Sequence, residues 1–199
     1  MVNENKFEIK KLTIKQVIII YYRYLKKDFP PSERRFLISM IRGIITKRYE
    51  CFGAFYKGRM LGYAFFIKSN NDYLLDYLAI NGKFRDKGLG TIFVNKLKEH
   101  YKDADSLIIE VENPDAANNS TERATRECRL EFYIRNGGFD TNVRTNTFGV
   151  AFIILQIVGK PLDAQTVKKL YRKHYRFYYS EKIYRKNVHF CVLESCLTL

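Results

Sequence analysis

Leu74-Leu75-Asp76-Tyr77-Leu78-Ala79-Ile80, then Asn81-Gly82-Lys83-Phe84, then Arg85-Asp86-Lys87-Gly88-Leu89-Gly90-Thr91, is the stretch that decides how this chain folds. It reads as an apolar strand, a basic glycine-bearing turn and the opening of a helix. The first N–H groups of a helix have no partner inside it, and the aligned peptide dipoles favour an anion at that end. Glycines at 88 and 90 remove the Cβ atoms that would hold a phosphate away from the backbone. Arg85 and Lys87 add positive charge beside it. A polyphosphate-bearing ligand is the first expectation; a strand–helix turn with no ligand is the plain alternative. Two nucleotide motifs do not fit. The dinucleotide fingerprint needs a third glycine where Phe93 stands, and the P-loop frame counted from Gly82 meets Lys87 where it needs glycine.

A second stretch lies downstream. Arg129-Leu130-Glu131-Phe132-Tyr133-Ile134-Arg135-Asn136-Gly137-Gly138-Phe139 reads as the end of a helix running into a strand. The helix is expected to start near Asn119 or Ser120, with Glu122 placed for a capping box. Ala124, Cys128 and Phe132 recur at i+4, as do Leu130 and Ile134, which predicts a broad apolar face. Gly137 or Gly138 suits the left-handed helix end.

Taken together, Arg-x-x-Gly-x-Gly after a strand and Phe-Tyr-x-x-x-Gly-(Gly)-Phe after a helix resemble the two signatures of the GNAT acetyltransferase superfamily, over residues 74–139. The resemblance implies a GNAT-like α/β fold: a mixed, mostly antiparallel central sheet with helices on both faces and a splayed parallel strand pair, 73–80 and 106–112, binding acetyl-CoA. It implies that backbone groups of Leu78, Ala79 and Ile80 bind pantetheine, with an N–H near Leu78 facing the thioester oxygen. N–H groups of Lys87, Gly88, Leu89, Gly90 and Thr91 would hold the pyrophosphate, with Arg85 and Asp86 in the same loop. Tyr133 matches the family tyrosine that donates a proton to the sulfur; its alternative is a core aromatic beside Phe132. For the base, Asp76 comes first and Glu110 second, with Glu112 a further alternative; each has an ion-pair reading, and many relatives deprotonate the amine through water. Where N-terminal acetyltransferases often read Asn-x-x-Ala-x-x-x-Tyr, this chain has Arg126 and Arg129. Arg126 would reach a CoA phosphate or pair with Glu122 one turn back. That departure, with Asp28-Phe29-Pro30-Pro31-Ser32-Glu33-Arg34 upstream, is more like bacterial members of unknown acceptor.

The rest of the chain agrees. Its 199 residues suit one domain, 1–199, and 46% hydrophobic residues with 30 Phe and Tyr can fill a core. No apolar run is long enough to span a bilayer, and the polar start is not a signal peptide. Cysteines 51, 128, 191 and 196 show neither CxxC spacing nor a zinc-like cluster, so reduced thiols in a cytoplasmic protein, without metal, are expected. The periodicities predict strands at 7–12, 51–56, 60–68, 73–80, 106–112, 139–142, 148–158 and 188–193. They predict helices at 13–27, 32–48 (Ser32 the N-cap), 88–101, 120–136 and 163–180. Strands interleaved with helices indicate a mixed α/β sheet.

Charge is uneven. Residues 1–50 carry 12 basic and 5 acidic side chains, residues 51–159 carry 14 and 13, and residues 160–189 carry 9 and 2. An acidic partner such as RNA is the sharper reading of the two basic ends, including the aromatic C-terminal extension at about 160–199. The favoured reading is an amphipathic helix with packed tyrosines and solvated Lys and Arg, because no recognised nucleic-acid motif is present. The function that the GNAT resemblance implies is acetyl transfer from acetyl-CoA to a primary amine of a small molecule or peptide, in a ternary complex. The alternative is a non-catalytic basic CoA- or RNA-binding module. A homodimer is left open.

Overall fold

The computed structural model describes residues 6–85 and 87–193, leaving aside the side chain of Ser32. Asp86 and Cys196, both named above, lie outside the described residues. The chain forms two compact units: residues 1–70 with 75–101, and residues 71–74 with 102–199. One strand contributes to both.

The first unit opens with β1 (Phe7–Lys11), then a continuous helical stretch: α1 (Ile14–Ile20), a π-helical turn (Tyr21–Leu25) and α2 (Lys26–Asp28). Thr13 and Gln16 close a reciprocal capping box at its start. The chain then passes Pro30 and Pro31, whose rings cannot continue a helix. The helix expected at 32–48 is shorter: a 3-10 turn covers Pro31–Glu33, and α3 begins only at Leu37 and ends at Ile45. β2 (Tyr49–Tyr56) pairs antiparallel with β1 and with β3 (Arg59–Ser69). The link Lys57-Gly58 has positive φ at both residues, the primed turn that matches strand twist. β4 (Asp72–Ile80) follows, then α4 (Leu89–His100).

Leu89, Phe93, Val94 and Leu97 form the buried face of α4. Position 93, where a dinucleotide motif would need glycine, is thus a core anchor with no exposed surface. Burying such a side chain contributes about 2–3 kcal/mol. Phe52, Phe66 and Tyr101 extend this core as an aromatic cluster, with Phe52 edge-on to both of the others.

The second unit holds β5 (Ser106–Glu112), α5 (Ser120–Arg135), β6 (Phe139–Thr147), β7 (Val150–Gly159), α6 (Ala164–Tyr175), α7 (Glu181–Asn187) and β8 (Val188–Val192). The Asp105 N–H donates to the Asn71 carbonyl at 3.0 Å, and Ser106 Oγ donates to Asp72 at 2.8 Å, which ties the start of β4 to the start of β5. β7 pairs antiparallel with β5 and with β6, and β8 closes the edge beside β6. The strand order is β1-β2-β3-β4-β5-β7-β6-β8, mostly antiparallel with β4 and β5 parallel, as expected for the mixed α/β class.

Three local expectations need correction. β6 runs to Thr147, past the expected end at 142, because a bulge between Asp140 and Arg144 absorbs an irregularity that reads as a loop; Asn142 there has φ 59°. The helix expected at 163–180 ends at Tyr175, and a further helix that the sequence reading lacked, α7, begins at Glu181, with Ser180 capping it through the Ile183 N–H. The broad apolar face predicted for α5 is not buried: Cys128 and Ile134 are exposed, and Arg126 is the buried residue of that helix.

Candidate acetyl-CoA and catalytic site

In the first unit, β4 ends at Ile80 and a 3-10 turn, Gly82–Phe84, leads into the loop before α4. Asn81 caps that turn by accepting from the Lys83 N–H. Gly88, the residue before α4, has φ +71°, a left-handed conformation that costs an L residue about 1–2 kcal/mol. No side chain caps α4, and its first turn holds no acidic residue. A Cβ at Gly88 would meet nothing within 4 Å, so the space in front of the turn is open. Lys87, Gly88 and Thr91 are exposed while Leu89 is buried and anchors the turn from below. An open, uncapped helix N-terminus entered through a left-handed glycine and flanked by lysine and arginine fits a pyrophosphate chemically.

Arg85 is already engaged: its Nε donates to the Ile80 carbonyl at 3.1 Å and its terminal nitrogen lies 3.3 Å from Asp28. Its guanidinium is half exposed and braces the turn from the strand side. Asp28 also accepts from Tyr63 at 2.8 Å, and burial, with the Asp28 charge second, pushes the Tyr63 hydroxyl pKa up.

Asp76 sits on β4 in a network the sequence did not reveal. Arg35 Nε donates to both its oxygens at 2.7 and 2.9 Å, and the Tyr49 hydroxyl donates at 2.6 Å. Both side chains of the ion pair are under a tenth exposed. The neighbouring Tyr77 hydroxyl accepts from the Arg35 N–H and donates to the Glu33 carbonyl, while Tyr21 donates to the Arg35 carbonyl. Burial drives the Tyr77 pKa up, so it stays a neutral donor. Together these bonds fasten residues 33–35 to β4. Asp76 and Arg35 are 41 residues apart, and nothing local in either segment announces the pair.

In the second unit, Glu110 on β5 accepts from the Tyr175 hydroxyl at 2.7 Å and from the Tyr171 hydroxyl. Tyr171 also shares a 2.6 Å bond with Thr147, and its ring stacks on Tyr175 at 4.6 Å. The i, i+4 spacing along α6 is the signal that could have found this pair. Glu112, at the end of β5, pairs with Arg129 and lies 3.5 Å from Arg126. Arg126 takes its pairing alternative: it bonds Glu122 at 2.7 Å and the Asn113 carbonyl at 2.9 Å. Asn119 caps α5 through the Glu122 N–H at 2.9 Å, but Glu122 turns back to the Asn118 N–H rather than to Asn119. Tyr133 is half-buried near the end of α5, edge-on to Phe132 at 5.1 Å; its burial pushes the hydroxyl pKa up, only partly offset by Arg129. The hydroxyl therefore keeps its proton at neutral pH.

Residues 15–122 match the model of the acetyltransferase (GNAT) family. The chain belongs to the GNAT acetyltransferase family. Solved structures agree with this GNAT fold. A protein of Bacteroides thetaiotaomicron described as a GNAT-family acetyltransferase is 20% identical and matches with a TM-score of 0.64 over 83% of this chain and 93% of its own. The ribosomal-protein-S18-alanine N-acetyltransferase of Escherichia coli is 17% identical, with a TM-score of 0.55 over 76% and 92%. A Bacillus subtilis acetyltransferase in complex with CoA is 16% identical, with a TM-score of 0.51 over 76% and 97%. No curated protein matches. Among the described residues of the GNAT chain, no helix is long and apolar enough to cross a membrane. No three His, Cys, Asp or Glu side chains among them are grouped to hold a metal ion.

Proposed function

We propose that this acetyltransferase moves the acetyl group of acetyl-CoA onto a primary amine of a small molecule or peptide, by direct attack in a ternary complex. The observation that carries the reading is the left-handed, uncapped Gly88 entry into α4 directly after β4. In this reading the N–H groups of residues 87–91 hold the pyrophosphate. Backbone groups of Leu78, Ala79 and Ile80 hold the pantetheine arm. Arg85 serves by bracing the turn, which leaves phosphate charge to be met by Lys87 and the helix dipole.

Acetyl-CoA supplies an activated thioester; the chain must do the rest. A primary amine with a pKa near ~10 is almost wholly protonated at neutral pH, so it must lose a proton before it attacks. Asp76, held by Arg35 and Tyr49, is better suited to fixing residues 33–35 than to accepting that proton. Glu110 is the carboxylate we assign to it, through water, because its Oε1 already accepts from the Tyr171 and Tyr175 hydroxyls. As the carbon–nitrogen bond forms and the carbon–sulfur bond breaks, Tyr133 donates its proton to the departing sulfur. An N–H near Leu78 steadies the oxygen that gains charge.

Calorimetric titration with CoA tests the donor side. Wild type should bind, and Gly88→Val should bind at least about tenfold more weakly, since the left-handed turn is lost to a β-branched residue. Unchanged affinity in a folded Gly88→Val protein would remove the turn from the site. Peptide amines belong in the acceptor panel because the E. coli enzyme above acts on a ribosomal protein's alanine.

A further inference from the structure

α6 and α7 face solvent with a cationic groove, none of whose lining residues is assigned a part in acetyl transfer above. Between Ala164 and Asn187 the sequence places eight Lys and Arg and one Glu. The buried side of α6 is Val167, Leu170, Tyr171, His174 and Tyr175, so its Lys and Arg side chains share the outer side. A shallow groove of about 280 Å³ opens there, lined by Lys168, Lys169, Arg172, Glu181, Arg185 and Phe190.

A solvated charged face would leave these side chains free to move. This one is organised. The single carboxylate, Glu181, receives Arg172 at 2.6 Å from α6 and Arg185 at 2.6 Å from its own helix, with Arg176 at 3.3 Å. One negative charge fixes three guanidiniums and neutralises only one of them. Arg172 and Arg185 remain more than half exposed, so the N–H groups that Glu181 does not take stay available to an anion. Lys168 is steered as well, its ammonium 5.9 Å above the Phe190 ring.

We propose that this groove binds the phosphodiester backbone of a single-stranded nucleic acid. A shallow groove with its basic side chains held in place suits a flexible strand, whose phosphates can follow the charges. An anionic membrane suits it less: the apolar residues of α6 turn inward, leaving its cationic side without the apolar anchors an interfacial helix needs.

The test is fluorescence anisotropy on the full chain, with a labelled single-stranded RNA, a DNA of the same sequence, and phosphatidylserine vesicles. Binding to RNA or DNA should weaken steadily with salt, and the two arms tell which strand is preferred. Lys168→Glu/Lys169→Glu should weaken binding tenfold or more and reduce the slope of log K against log salt by about 1.4, roughly 0.7 for each phosphate of a single strand that is no longer neutralised. Lys168→Gln/Lys169→Gln should do the same more mildly, with an unchanged melting temperature. Acetyl-CoA binding should be unaffected by either. Lys26→Glu/Lys27→Glu, on the exposed part of α2, should leave nucleic-acid affinity within about twofold, because charges outside the groove act only through screened solvent. Absent nucleic-acid binding, binding to vesicles alone, or equal weakening by the α2 pair would each overturn the proposal.

Discussion

Asp76 illustrates how one side chain's surroundings redirect its role. A carboxylate on the strand before the donor loop invites the reading of a base, yet its oxygens are taken by Arg35 and Tyr49. Breaking a buried pair by neutralising one partner costs about 3–5 kcal/mol, because the other charge is left without compensation. Asp76→Asn should therefore lower unfolding free energy by about that much in urea titrations, while CoA affinity holds. A catalytic base would instead lose turnover at unchanged stability. Tyr133 offers the complementary case. Removing only its hydroxyl, as in Tyr133→Phe, should slow turnover roughly 10²-fold with CoA affinity unchanged. Because burial raises its pKa, the acid stays protonated through neutral and mildly alkaline pH, so wild-type kcat should not fall from loss of this proton below about pH 10. A decline near pH 8 that vanishes in Tyr133→Phe would contradict that protonation state.

Among the elements, α4 and its entry were legible because the signals are local: a strand run, two glycines, and buried Leu89, Phe93 and Leu97 at helical spacing. α5 was legible in extent but not in burial. Its Ala124, Cys128 and Phe132 have the period of a packed face, whereas Arg126 takes the buried place through bonds to Glu122 and the Asn113 carbonyl. Periodicity cannot foresee an arginine that buries itself with its own partners. The early end of α6 at Tyr175 was missed because Tyr178 and Tyr179 extend an apolar pattern as far as Ser180, which caps α7. Glu181, the first residue of α7, then joins the two helices. Hydrogen bonds from Arg185 and then Arg172 hold its carboxyl down to about 2. A depressed carboxyl favours the folded clamp at all pH above its usual range near 4.5 and loses that contribution as pH falls toward about 2. NMR titration of the Glu181 carboxyl should show this low midpoint, and Arg185→Ala should move it upward. A midpoint already in the ordinary range would mean the clamp does not persist in solution. Asn119→Ala, which removes the α5 cap, should cost about 1 kcal/mol in thermal unfolding. No change would place the start of α5 elsewhere.

For the molecule as a whole, the family was readable from two motifs about forty residues apart, because both encode local backbone conformation: Gly88 and Gly137 both take positive φ. The mixed sheet followed from the alternation of elements, whereas its strand order did not. What the sequence withheld is long-range: the Arg35–Asp76 pair, and the Tyr171 and Tyr175 hydroxyls on Glu110, which join residues more than 40 and 60 apart. Such pairings leave no periodic trace. Nor does any residue name the acceptor, since an amine is recognised by shape and charge that no motif here encodes. The most direct measurement is free-thiol release from acetyl-CoA against a panel of small amines and peptide N-termini, with Tyr133→Phe and Gly88→Val run beside wild type. Thiol release should depend on at least one amine, be slowed at saturating acetyl-CoA by Tyr133→Phe and be shifted to higher acetyl-CoA concentrations by Gly88→Val. Amine-dependent release at wild-type rates from both variants, or CoA binding with no release across the whole panel, would contradict this expectation.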